Sequence, residues 1–271
     1  MDARLQNRIQ RYGWNCAVDL YDAAWADQLR PGQDLMLALA GLRRAERVLD
    51  VACGTGLVSF RAADMVGPEG SVLGTDISER MVEEAERRAT GRPGVGFRRL
   101  SAEDRDLDGS GFDAALCAFG LMYAPDPVAA LGAMRRALKP GGRTAVVVWG
   151  ARARCGWAEI FPIVDARVKS EVCPLFFQLG SNGVLAAALE AAGHGDVVVE
   201  RITAVLRYET DDDALMAAFA AGPVALAYSK FPPEVRQAAH AEYLASIEAF
   251  RHGEGYALPA EFVAAVGRAP S

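Results

Sequence analysis

At 271 residues, about half of them apolar, the chain is long enough to bury one substantial core. A formal charge of -6 and an isoelectric point near 5.2 disfavour a surface that tracks phosphates, so no nucleic-acid partner is expected. The arginines come as scattered pairs (Arg43-Arg44, Arg98-Arg99, Arg135-Arg136) rather than as a stripe. Five cysteines (Cys16, Cys53, Cys117, Cys155, Cys173) form no C-x-x-C pair and no ligand rhythm with the three histidines. No metal is therefore expected, and a reducing, cytoplasmic setting fits. Met1 to Gln10 lacks an apolar leader core and no run has the length of a membrane span, so a soluble protein is expected.

In chain order, Trp14, Val18, Tyr21, Trp25 and Leu29 recur at helical steps, and Pro31-Gly32 is read as the end of that helix. A second helix is expected over 33–42. Arg47 to Ala52 reads as a strand, Leu57 to Val66 as a helix and Ser71 to Asp76 as a second strand. Ser78 is the expected N-cap of a helix reaching Ala89, whose exposed face pairs Glu83 with Arg87 and Glu84 with Arg88. Val95 to Leu100 and Phe112 to Ala118 are strands, Pro127 to Leu138 a helix, and Arg143 to Trp149 a fifth strand beyond the Lys139-Pro140-Gly141-Gly142 turn. Residues 151–180 read as an apolar, aromatic insertion. Leu185 to Ala192 is a helix, Asp196 to Tyr208 a long strand, Asp211 to Phe219 and Pro233 to His252 helices, and Glu261 to Val266 a final strand. The alternation predicts an α/β fold with a doubly wound, mostly parallel, seven-stranded sheet under a helical and aromatic cap. The expected division is a single unit, 1–271, with 1–44 as a helical cap, 45–150 as the ligand-binding core, 151–180 and 211–252 as cap insertions, and 181–210 and 253–271 completing the sheet.

The first strand runs into Cys53-Gly54-Thr55-Gly56 before a helix opens at Leu57. Two glycines without Cβ let backbone approach a ligand closely. Ser59 stands where a dinucleotide fingerprint needs its third glycine. Asp50 near the strand end needs a cationic or hydrogen-bonding partner if it is buried. A ligand with an ammonium group and no pyrophosphate suits both observations. Asp76, at the end of the second strand, occupies the position from which a carboxylate reaches a ribose. Asp is also favoured before helices, but Ser78 competes for the capping role.

The runs Val48-Leu49-Asp50-Val51-Ala52-Cys53-Gly54-Thr55-Gly56, Asp76-Ile77-Ser78-Glu79-Arg80-Met81, Phe112-Asp113 and Leu138-Lys139-Pro140-Gly141-Gly142 resemble, in order, the motifs of class I S-adenosylmethionine-dependent methyltransferases. Within that class they look closest to the ubiquinone/menaquinone-biosynthesis C-methyltransferase-like group. The resemblance covers about residues 45–150 and implies a Rossmann-like fold and a cofactor, S-adenosyl-L-methionine, that leaves as S-adenosyl-L-homocysteine. It implies that Asp50 meets the methionine ammonium, directly or through water, and that the backbone from Ala52 to Gly56 wraps the methionine part. It further gives Asp76 to the ribose and Ile77 and Met81 to the two faces of adenine, with Cys53 and Cys117 in the same site. Leu100-Ser101-Ala102-Glu103-Asp104 matches the adenine-edge motif, except that many relatives carry Asp where Ser101 stands. Ser101, Glu103 or a backbone carbonyl must then accept from the adenine amino group. Tyr21, beside Asp22, matches the aromatic that relatives place over the cofactor, although the helical stripe also suits core packing.

Methyl transfer from a sulfonium is an in-line displacement on an activated carbon. Alignment and exclusion of water are the main demands, and a base is needed only when the acceptor must lose a proton. No catalytic residue is assigned. Tyr123, after the fourth strand, is either an aromatic wall facing the methyl group or packing under the next helix. Tyr12, Trp157 and Phe161 are the other candidates for contact with the acceptor, a small organic molecule with an aromatic or quinone-like ring as the leading expectation. The apolar runs Cys155 to Phe161 and Val172 to Phe177 either close over that site or form a cap core or homodimer contact. His194 reads as a helix C-terminal residue rather than a base. His240 and His252 receive no role. The competing readings are a non-catalytic S-adenosylmethionine-binding sensor or interaction protein and a nicotinamide-dependent oxidoreductase; Ser59 and the Lys-Pro-Gly-Gly context count against the latter.

Overall fold

A computed structural model describes residues 3–168 and 176–271. Its elements are α1 (Ala3–Ala40), β1 (Arg47–Val51), α2 (Leu57–Val66), β2 (Ser71–Asp76), α3 (Glu79–Ala89), β3 (Val95–Arg99), β4 (Phe112–Ala118), α4 (Pro127–Ala137), β5 (Leu138–Trp149), α5 (Ile160–Asp165), α6 (Val184–Ala191), β6 (Gly195–Tyr208), α7 (Asp211–Leu215), α8 (Ala225–Tyr228), α9 (Pro233–Ile247), β7 (Arg251–His252) and β8 (Gly255–Arg268). The sheet runs β3-β2-β1-β4-β5-β8-β6, with β7 pairing β8 at the side. The first five strands are parallel, and β8 enters antiparallel between β5 and β6. This is the expected α/β architecture, with a two-residue eighth strand added. Strand order reverses between β1 and β4, so a crevice opens past their carboxyl ends, where ligands bind in sheets of this kind.

Local chemistry sets most boundaries. Ser78 accepts from Met81 N at the start of α3, and Asp126 does the same for Ala129 N ahead of Pro127 in α4. Thr210 and Asp213 form a reciprocal capping box on α7. That helix continues as a π turn over Met216–Ala220, and a bend then brings Gly222 and Pro223 toward the crevice.

Four expectations from the sequence need correction. The fifth strand starts at Leu138 rather than Arg143, so Lys139-Pro140-Gly141-Gly142 lies within β5 instead of forming a turn before it, with Phe112 paired to Leu138 across an irregularity. The helices expected over 14–29 and 33–42 are one helix, Ala3–Ala40, which runs through Pro31. Proline removes one helical donor, but the turn around it is buried by Leu29, Gly32, Met36 and Leu37, and tertiary packing overrides the local cost. The last strand begins at Gly255 rather than Glu261. Pro259 is tolerated because pairing with β5 ends at Trp149↔Phe262, so only β6 faces this part of the strand. The expected helix to His252 accordingly stops at Ile247, and Arg251 and His252 turn into β7. Of the apolar run Val172 to Phe177, residues 172–175 lie outside the described part.

Candidate active site

The loop after β1 is shaped by left-handed backbone at Ala52 (φ 56°), Gly54 (φ 55°) and Gly56 (φ 89°). At Gly56 a Cβ would meet Phe60 Cε2 at 2.7 Å, so this position has neither the backbone nor the space for a side chain. Cys53 N donates to Thr75 O at 3.0 Å and Gly56 N to Cys53 O at 3.0 Å, which folds the loop against the end of β2.

Two buried carboxylates flank this loop. Asp76 accepts from Gly54 N at 2.9 Å and from Ser78 N at 2.8 Å. Burial still raises its pKa, against those backbone donors. Asp50 accepts from Ser59 Oγ at 2.5 Å through Oδ2, while Oδ1 is buried without a partner. Burial pushes the Asp50 carboxyl up to about 7; the Ser59 bond opposes the rise and the Asp76 charge adds to it. The residue that breaks the dinucleotide pattern, Ser59, thus holds Asp50 in place.

A cavity of about 970 Å³, counted out to its open mouth, lies over the loop. Its polar part is lined by Ala52, Gly54, Asp76, Ile77, Met81, Ser101, Ala102 and Glu103. Its aromatic part is lined by Trp14, Tyr21, Trp25, Phe119, Tyr123, Trp149, Trp157 and Phe176. The rings touch in sequence: Tyr21–Trp14 at 5.7 Å between centroids, Trp14–Tyr123 at 5.2 Å, Tyr123–Phe176 at 5.5 Å, Phe176–Trp157 at 5.6 Å and Trp157–Trp149 at 4.8 Å. Among the described lining residues there is no Lys, Arg or His. Burial, aided by Asp22, Asp76 and Asp50, raises the Tyr21 phenol further, so it stays a neutral donor.

Helix α1 forms the roof and is tied down by polar contacts. Arg11 pairs with Glu79 at 2.9 Å, Ser78 Oγ donates to Asn15 at 2.6 Å, and Arg80 pairs with Asp19 at 2.8 Å. Thr55 Oγ1 donates to Asp22 at 2.6 Å, and Asp22 also pairs with Arg88. At the mouth, Glu103 accepts from Asn7 Nδ2 at 3.3 Å and from Asp126 N at 3.0 Å. Asp104 accepts from Ser101 N at 2.7 Å. A second, shallower depression carries Arg4, Arg8, Arg11 and Arg99 with Asp104.

Several residues singled out from the sequence stand off the cavity wall. Asp50 lies behind the loop, and Gly56 shapes it without facing the cavity. Cys53 packs with Val82, Ala85 and Phe97, and Cys117 is buried below Gly120, its thiol pushed up to about 12 by burial. Tyr12 faces solvent with Arg11 over its ring at 5.1 Å. Phe161 sits behind the wall, 4.7 Å from Phe176 and 5.8 Å from Trp157. For Cys117, strand alternation turns the side chain away from the crevice while Ala118 beside it lines the cavity. Conversely, Asn7, Gln10, Phe119, Trp149, Phe176, Gly222 and Pro223 line the cavity without having been singled out. Phe119 had no visible signal, because its left-handed φ of 61° belongs to the folded turn. His194 is buried with Nε2 2.9 Å from Thr144 Oγ1, and burial lowers its pKa to about 4. It lies outside the cavity lining.

Residues 48–142 match the family model described as a methyltransferase domain. Over 114 residues the chain is 36% identical to the ubiquinone/menaquinone biosynthesis C-methyltransferase UbiE of Francisella philomiragia, covering 41% of this chain and 46% of that protein. Over 102 residues it is 37% identical to the demethylmenaquinone methyltransferase of Staphylococcus aureus strain JH9, covering 38% of this chain and 42% of that protein. The match thus spans less than half the length of these relatives. Among solved structures, the YcgJ protein of Bacillus subtilis superposes with a TM-score of 0.62 at 18% identity, over 89% of this chain and 99% of that one, which is a likeness of fold. The matched stretch ends before Trp149, Trp157 and Phe176 and begins after Trp14, Tyr21 and Trp25, so the aromatic part of the cavity is built largely by chain outside it.

Proposed function

We propose that the protein is an S-adenosylmethionine-dependent methyltransferase acting on a small organic acceptor with an aromatic or quinone-like ring. One observation carries this reading: two buried carboxylates, Asp50 and Asp76, flank a ligand loop beside a cavity whose described lining holds no cation. Such a site is electrostatically incomplete, and a ligand bearing an ammonium and a sulfonium completes it. The unpartnered Asp50 Oδ1 and the Cβ-free loop at Gly54 and Gly56 fit that cofactor.

In this reading Asp76 accepts from the ribose hydroxyls, Asp50 offsets the ammonium, and Ile77 and Met81 pack against adenine, whose edge meets Ser101 or Glu103. The cofactor supplies a methyl group already activated by its positive sulfur. The chain's own residues align the acceptor and exclude water. Tyr21 offers a neutral hydroxyl and the aromatic rings provide flat walls. Transfer of a radiolabelled methyl group from the cofactor is the test, with separate pools of ring-bearing small molecules, alkylamines and proteins. Label is expected in the ring-bearing pool. Cofactor binding with label in no pool would establish a sensor and overturn the catalytic reading.

A further inference from the structure

The aromatic part of the cavity contains an unmet hydrogen-bond donor. Trp157 is buried at 2% exposure, lines the cavity, and its Nε1 has no partner. An indole nitrogen can only donate, and a buried donor left unpaired is costly enough to be rare. Its neighbours do not answer it: the rings of Trp25, Trp149, Phe161, Phe176 and Phe177 surround it at centroid distances between 4.8 and 6.0 Å. The only carboxylates on the described cavity wall, Asp76 and Glu103, are engaged by Gly54, Ser78, Asn7 and Asp126. Those two carboxylates, with no Lys, Arg or His on the described lining, also disfavour an anionic occupant.

We infer that Trp157 Nε1 is the specificity donor of the acceptor subsite, so the acceptor is a neutral, flat molecule carrying a carbonyl or ether oxygen on or beside its ring. This rests on the proposed methyltransferase reading. The ring of the acceptor stacks in the aromatic part of the cavity and its oxygen accepts from Trp157 Nε1. The probes are 1-tetralone and tetralin, the same bicycle with and without a carbonyl, added to protein saturated with S-adenosylhomocysteine and labelled with 15N in its tryptophans. The resonance of Trp157 among the four indole signals is identified by its loss in Trp157→Phe. With 1-tetralone the Trp157 indole proton moves downfield and with tetralin it does not. Trp157→Phe weakens 1-tetralone about five- to tenfold more than it weakens tetralin. Failure of 1-tetralone to bind, an unmoved Trp157 signal, or equal weakening of both probes overturns the inference. Failure of S-adenosylhomocysteine to bind overturns the methyltransferase reading instead, and calorimetry before the probes are added separates the two. If Trp157→Phe misfolds, the wild-type shifts decide, with the Trp157 signal located from its contacts to Phe176.

Discussion

The Asp50 carboxyl carries a pH dependence that distinguishes a binding role from mere burial. Its pKa is held up to about 7 by burial, with the neighbouring Asp76 charge adding to the rise. In the unliganded protein it is therefore largely protonated below that pH, and a ligand ammonium must displace the proton. Affinity for S-adenosylhomocysteine should rise with pH, by up to about tenfold per unit below 7, and level above it until the ligand amine titrates near ~8. The sign for stability is opposite. A carboxyl raised above its unfolded value favours the unliganded fold most at low pH, and that contribution fades as pH climbs from 3.8 through about 7. Ser59→Ala removes the hydrogen bond that favours the ionised form, so the affinity profile should move to higher pH. Calorimetry across pH in buffers of different ionisation enthalpy checks both, and a flat profile in the wild type contradicts the role given to Asp50. Gly120 makes a separate point about fit. A Cβ there would overlap that of Ala52, so Gly120→Ala should cost about 1–3 kcal/mol of stability and weaken cofactor binding, as read by thermal melts with and without ligand.

Among the elements, α1 deserves a dynamic reading. Its second half is buried by Trp25, Leu29, Met36 and Leu37, and its first half, which buries Gly13, Ala17 and Val18, is also tied over the site by Arg11–Glu79, Arg80–Asp19 and Arg88–Asp22. Partly exposed ion pairs of this kind contribute about 0–1 kcal/mol each, so removing them is expected to loosen the roof without unfolding the rest. The paired substitution Asp19→Ala with Asp22→Ala should speed cofactor dissociation about three- to tenfold while changing global stability by less than about 2 kcal/mol. Stopped-flow displacement measures this, and an unchanged rate would mean the cofactor leaves by another path. The same helix shows what sequence can and cannot convey. The strands β1, β2 and β4 were legible because each is a short apolar run followed by a helical period, whereas the start of β5 was not, since its first residues carry Lys139-Pro140-Gly141-Gly142. Pro31 misled because its local cost is outweighed by burial that comes from β5 and β8, far away in sequence. The glycine loop, Asp50 and Asp76 were legible as a group since their spacing is local. The aromatic cavity was legible in part: Tyr21, Tyr123 and Trp157 were among the candidates and line it, whereas Phe119 and Trp149 were not, because the rings come from separate elements and only the fold shows which of them face inward.

For the whole molecule, charge and cavity chemistry pull apart. The chain is acidic, yet the residues Arg4, Arg8, Arg11 and Arg99 gather in one depression beside the cavity, a local grouping that net charge and scattered sequence pairs conceal. The main cavity has the opposite character, with carboxylates near the loop and uncharged rings beyond. No helix among the described residues is long and apolar enough to cross a membrane, and no group of His, Cys, Asp and Glu among them is arranged to hold a metal. The sheet positions the crevice, and the segments around it determine what can enter, which is why a fold shared with other chains leaves the acceptor to be argued from the aromatic wall. The central claim is that Asp76 and the loop it fastens form a site for a sulfonium nucleoside. Calorimetric titration of the folded protein with S-adenosylmethionine tests it most directly. Binding at one site per chain is expected, weakened about 100-fold or more in Asp76→Ala protein that keeps its circular dichroism spectrum, because two charge-assisted hydrogen bonds are lost. A folded wild type that takes up no S-adenosylmethionine, or an Asp76→Ala protein that binds it equally well, would contradict the account.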